Sequence, residues 1–177
     1  MNESDYILSN LNMISRIALL ENAPESRKAI DRLIAILRYN DQGEILSTLA
    51  DELGIANKMF DLFRSKKRDA FNGIIIGHDI GNTCYIKKGC VLDIIKVALN
   101  KKLKNDQDQL EIKVVTKVYE GHVEVIVQDN GEVDENIADE KLGRIYDRLT
   151  EDNKETPISV TVKKGVGTKV IISIPMN

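Results

Sequence analysis

The chain has 177 residues, 42% of them hydrophobic and 30% charged, with a formal net charge of −3 and a pI near 5.5. That length suits one domain, or a small helical piece joined to a compact α/β piece, and the composition can bury a core while remaining soluble. No run of roughly 18 apolar residues is present to span a membrane, and the acidic balance argues against a nucleic-acid partner. The basic clusters SKKR (65–68) and KKLK (101–104) are short enough to be solvated faces. The polar, acidic start MNESDYILSN is unlike a secretion signal, so the expected location is cytoplasmic, with no direct membrane insertion.

The first 70 residues are helical by pattern. Ile7, Leu8, Leu11, Ile14 and Ala18 recur at three and four and form one apolar stripe. Pro24 sits where a first helical turn tolerates it, with Asn22 as a candidate cap and Glu25 near the positive end of the helix dipole. Ala29, Ile30, Leu33, Ile36 and Leu37 make a second stripe, which NDQG (40–43) breaks. A third helix carries Leu46, Leu49, Leu53, Ala56, Phe60 and Phe63 on one face. Such stripes must be covered, by one another, by a second copy of the chain, or by both.

Beyond residue 70 the period changes. NGIIIGHDIG (72–81) reads as a short buried strand, and KKGCVLDIIKVALNKKLKN (87–105) as a helix through Val91, Ile94, Ile95, Ala98 and Leu99. Two strands follow around Glu120-Gly121, with Ile112 and Val114, then Val123, Val125 and Val127, at period two. A loop (131–137) leads to the helical ADEKLGRIYDRLTE, and PISVTVKKGVGTKVIISIP closes the chain as a hairpin with Gly165 and Gly167 in its loop. Three helices followed by β-α-β-β-α-β-β predict an α+β fold, with helices on one face of a mixed sheet.

Chemistry-bearing residues are sparse. Cys84 and Cys90, six apart, match no zinc spacing and read as reduced thiols in or near the core; His78 and His122 read as surface histidines. No metal site is expected. VIVQDNGEV (125–133) runs an alternating strand into Asp129-Asn130-Gly131, which on its own is ordinary turn chemistry.

Taken in order, these pieces resemble the catalytic core of sensor histidine kinases of the LytS/YehU type, over nearly the whole chain. LSNLNMISRIALLENAPESRKAIDRLIAILRY is similar to that family's segment after its phosphoacceptor, and LADELGIANKMFDLFRSK to the helix that follows. IKKGCVLDIIKVALNKK lies without gaps over the stretch that runs from Ile-Pro-Pro to the Glu-Asn-Ala of the N box. VQDNG resembles the G1 box, GVGT the last glycine motif, and LGRIYDRL the helix after the G2 box. The resemblance implies two parts. Residues 1–70 would be antiparallel dimerisation helices of the phosphotransfer type, and residues 71–177 a histidine-kinase-like ATPase sandwich. It also implies ATP or ADP as ligand, a homodimer through the N-terminal helices, and a kinase or response regulator as partner. Asp129 would meet the adenine amino group, with Gly131, Gly165, Gly167 and Thr168 around the nucleotide.

The departures from the family pattern concern its chemistry. Asp5 falls where the phosphorylatable histidine belongs, Lys96 replaces the N-box glutamate, and Val97 replaces the asparagine that holds magnesium, an ion that requires oxygen ligands. Asp139 and Lys141, around Leu142, stand in place of the G2 glycines that admit phosphates. Three readings follow. The chain is a pseudokinase that works by protein–protein interaction; or it is an ordinary kinase whose N-box asparagine is Asn100; or it still binds ATP or GTP, with Lys96 as a point charge on the phosphates.

Overall fold

The computed structural model describes residues 3–43, 45–77, 84–101, 109–132, 135–150, 159–165 and 167–176, with the backbone alone given for Arg68, 135–141, 150 and 159–165. Three long helices come first: α1 (Glu3–Leu20), α2 (Pro24–Asp41) and α3 (Leu49–Lys67). Pro24 opens α2 as expected, but the cap is Ala23, without a side-chain bond, while Asn22 takes the left-handed turn (φ 52°) that ends α1. Asn tolerates that conformation at small cost, which explains its position better than capping does. α2 lies between α1 and α3, and across the first pair Ser15 Oγ donates to Asp31 Oδ1 at 2.7 Å.

α3 begins three residues later than its leucine stripe suggests. Leu46–Thr48 form a short strand, β1, and the Thr48 hydroxyl accepts the Asp51 N–H at 3.0 Å while donating to that carboxylate at 2.7 Å. This reciprocal cap sets the helix start, so Leu46 is left exposed in the strand rather than buried on the helix. β1 pairs antiparallel with β3 (Tyr85–Lys87), a strand the sequence reading also missed.

The remaining strands, β2 (Phe71–Ile76), β4 (Leu110–Tyr119), β5 (His122–Asp129), β6 (Ser159–Gly165) and β7 (Gly167–Pro175), form one mixed sheet in the order β2-β4-β5-β7-β6. β2 runs parallel to β4, and every other pairing is antiparallel. Gly121, at φ 81°, makes the tight turn between β4 and β5. Ile112 and Val114, Val123, Val125 and Val127, and Val170, Ile172 and Ile174 are all buried, the period-two side of the sheet. They share one core with α3, α4 (Cys90–Leu99) and α5 (Glu135–Thr150), where Val91, Ile94, Ile95 and Ala98 of α4 are buried as their spacing predicts. The α+β architecture of helices followed by a mixed sheet is therefore the one expected, with helices against one sheet face.

Cys84 and Cys90 are both buried and unpaired, and burial pushes both thiols above their ordinary range. His122 is half-buried and stacks on Tyr119 at 4.8 Å; His78 lies outside the described residues. No helix among the described residues is long and apolar enough to cross a membrane.

Candidate functional site

The end of β5 and the start of β7 bring four of the expected site residues together. Asp129 is 6% exposed and Thr168 4%, and Gly131 and Gly167 flank them. One carboxylate oxygen of Asp129 accepts the Gly131 N–H at 3.0 Å and the Thr168 N–H at 3.4 Å. Gly167 has φ 89°, and a Cβ there would stand 1.9 Å from the Asp129 carbonyl oxygen, so only glycine permits this approach of β7 to β5. Gly165 pairs with Gly167 where β6 meets β7. The bond to Gly131, two residues on, is the turn chemistry expected of Asp129, and the Thr168 N–H of β7 is a second partner from a distant strand.

A residue that the sequence reading left on a solvated face completes the cluster. Lys101, just past α4, places Nζ 2.9 and 2.8 Å from the two carboxylate oxygens of Asp129 and also donates to Thr168 Oγ1. The side chains of the pair are 8% and 5% exposed. The Lys101 stem packs on Gly131, where a Cβ would come within 2.6 Å of the Lys101 Cβ. The cationic head and the stem thus fill the space in front of Asp129 and occupy both of its oxygens. Among the described residues, an adenine amino group would have to displace the Lys101 ammonium, or share the carboxylate with it, to reach Asp129.

The N-box positions lie apart from this cluster. Lys96 is on α4, its side chain 42% exposed and bonded to Asp93 Oδ1 at 2.9 Å. The opposite Asp93 oxygen takes Arg148 Nη1 of α5 at 3.0 Å, and Arg148 Nη2 reaches the Lys88 carbonyl and Cys90 Sγ, each at 3.2 Å. Val97 packs on the core, and Asn100 turns back to donate to the Lys96 carbonyl at 2.8 Å. Asp5 is exposed in the first turn of α1. Of the G2 positions, Asp139, Lys141 and Leu142 all fall inside helix α5, with Leu142 buried; the side chains of the first two lie outside the described residues.

Glu52, on α3, is a second residue that sequence patterning did not single out. Its carboxylate has no exposure, yet it accepts the backbone N–H groups of Gly89, Val91 and Leu92 at the start of α4, the last two at 3.2 and 3.3 Å, together with the Tyr39 hydroxyl of α2. A carboxylate at a helix N-terminus meets unpaired amides and a favourable dipole. Burial, followed by the bond to Glu52, holds the Tyr39 hydroxyl well above its ordinary range. Nothing in LADEL singles out this Glu, because its amide partners lie 37 to 40 residues away and Tyr39 lies 13 away on another helix.

Neither a protein-family model nor a curated protein sequence matches this chain. Solved structures do match it. The catalytic domain of histidine kinase ThkA superposes with a TM-score of 0.53 at 14% identity, over 74% of this chain and 94% of that one. The histidine kinase domain of the EL346 blue-light activated histidine kinase of Erythrobacter litoralis gives 0.50 at 16%, over 99% and 86%. Histidine kinase AdeS of Acinetobacter baumannii gives 0.51 at 13%, over 99% and 96%. At such identities the likeness is one of fold: the chain has the helix-then-mixed-sheet architecture of histidine kinase catalytic domains.

Proposed function

We propose that this protein is a two-component signalling module of the LytS/YehU type that has given up phosphoryl transfer and acts by binding partners, as a pseudokinase. The observation that carries the reading is the Lys101–Asp129 pair. Admitting adenine would require separating two charges that are almost out of water, at a cost of about 3 kcal/mol or more, roughly a hundredfold in affinity. The replacements at Asp5, Lys96 and Val97 point the same way, since acceptor, acid–base group and metal ligand are each of the wrong chemical type.

The partner-binding surface in this reading is α1, which forms a homodimer with a second copy. Ser15 and Ala18 are buried against α2, while Tyr6, Met13, Ile17 and Leu20 are 58, 54, 43 and 82% exposed along the opposite side, at spacings of seven, four and three. That is the seam of a helix pair, with Ile7 and Ile14 beside it. A kinase or a response regulator would then engage the dimer.

ATP or ADP, with and without magnesium, is expected to leave the thermal midpoint unchanged, and labelled ATP to leave the protein unlabelled. Lys101→Ala should lower the midpoint, and ADP should then raise it, because the acceptor is exposed. Stabilisation of the unaltered protein by ADP, lost in Asp129→Asn, would overturn the reading in favour of a nucleotide-binding kinase.

A further inference from the structure

We propose that the face of the sheet turned away from the helices docks an acidic amphipathic helix of a partner protein, in a shallow apolar trough that crosses four strands. An antiparallel sheet with one face in water normally alternates apolar inward with polar outward. The outward positions break that rule along one line. Ile76, Val115, Ile126 and Ile171 stand directly opposite one another across β2, β4, β5 and β7. Val125 and Val127, on either side of Ile126, belong to the core shared with α3, α4 and α5, so strand alternation turns Ile126 and its row the other way. Ile126 is 7% exposed near the centre of the row, Val115 and Ile171 are half-buried on either side of it, and Ile76 is 47% exposed at the sheet edge.

The rows on either side give the trough its walls and its charge. Towards Asp129 the register runs Ile74, Lys113, Gln128 and Lys169, a wall with two cations and no acid. Towards the β4–β5 turn it runs Lys117, Glu124 and Ser173, and Glu111 lies a further row out, beyond Lys113. Among the described residues, Lys113, Lys117 and Lys169 form no ion pair, although the chain as a whole carries −3. Strands about 4.8 Å apart make the row about 14 Å long, the length of roughly nine helical residues. A helix laid along it would present apolar side chains at three- and four-residue steps, with acids on the flank that meets Lys113 and Lys169. A second copy of this face is a poorer occupant, because it would bring the lysines of one chain towards those of the other. So is a lipid surface, which takes protruding apolar side chains, whereas the centre of this row is recessed between exposed Lys113 and Lys117.

This surface uses no residue of the Asp129 cluster and none of α1, so it goes beyond the pseudokinase reading and stands whether or not nucleotide binding has been lost. The full chain, labelled with nitrogen-15, is titrated with an alanine-based synthetic helix that carries leucines at three- and four-residue steps, glutamates along one flank and glutamines along the other. The same peptide with lysines for glutamates, and vesicles of phosphatidylglycerol, are parallel arms. Saturable amide shifts at Lys113, Val115, Ile126, Lys169 and Ile171 are expected with the acidic peptide, and none with the basic one. Lys113→Glu combined with Lys169→Glu should weaken the acidic peptide about tenfold and leave the thermal midpoint in place, since both side chains stand on the water side of the sheet. Val115→Gln should weaken it about fivefold through the lost apolar contact. Absence of saturation in the millimolar range, equal affinity for the basic peptide, or unchanged affinity in the double lysine variant would each overturn the inference. Shifts confined to α1 would place the peptide on the helix seam instead, and shifts at the trough produced by vesicles but not by peptide would make this face a membrane surface; either result also overturns it.

Discussion

Glu52 and Lys101 are long polar side chains almost fully removed from water, and each persists because its charge is met on every side. Three N–H groups and the Tyr39 O–H surround the Glu52 carboxylate, so Tyr39→Phe removes one donor from a buried anion and should destabilise by about 1 to 3 kcal/mol, read as a lower urea midpoint at constant slope. Glu52→Ala should cost more, because it leaves amides at the start of α4 and a phenol unpaired together. Equal stability in both variants would mean that water replaces the carboxylate. The comparison also marks what sequence could reveal. Asp129 was singled out only through the order and spacing of several motifs, since DNG after an alternating strand is by itself ordinary turn chemistry. Lys101 was not, because nothing in KKLK separates a lysine that turns inward to meet a carboxylate 28 residues away from one that points to solvent.

Among the helices and strands, those with long regular patterns were the ones legible beforehand. α4 and the paired strands β4 and β5 bury the side chains their periods assign, whereas β1 and β3, three residues each, are too short to show a period at all. α1 is a different case: Ile7, Leu8, Leu11, Ile14 and Ala18 were read as one stripe, but Ala18 is buried against α2 while Ile7 and Ile14 are 43 and 45% exposed. A helix apolar on two sides has two faces to cover, and period alone does not say which of them meets α2. Under the dimer reading, Ile17→Glu should place an unpaired carboxylate in the interface and weaken self-association by about 3 kcal/mol, a hundredfold or more. Sedimentation should then show monomer where the unaltered chain is dimeric, with the helical circular dichroism retained. A monomeric unaltered chain at high micromolar concentration would sink the dimer.

Where α2 and α3 meet the start of α4, three buried groups can ionise at high pH: the Tyr39 hydroxyl and the thiols of Cys84 and Cys90. Burial raises all three, and for Cys90 it outweighs the pull of Arg148 in the other direction. A group whose folded value lies above its unfolded one favours the folded state fully while the unfolded form is still protonated, and that contribution is lost as pH rises towards the folded value. Ordinary thiols ionise near 8.5 and tyrosine near 10, so the urea midpoint should hold from about pH 7 to 8 and fall from about pH 8.5 to 10.5. Cys84→Ala with Cys90→Ala should flatten the earlier part of that fall, and Tyr39→Phe the later part, although each variant starts from a lower midpoint. A midpoint that stays level to pH 10.5 in the unaltered chain would show that these groups ionise as easily folded as unfolded, and the seam between helices and sheet would have to be open to water. If the fall occurs and survives all three substitutions, it arises elsewhere, and the seam is not the part of the molecule that alkali loosens first.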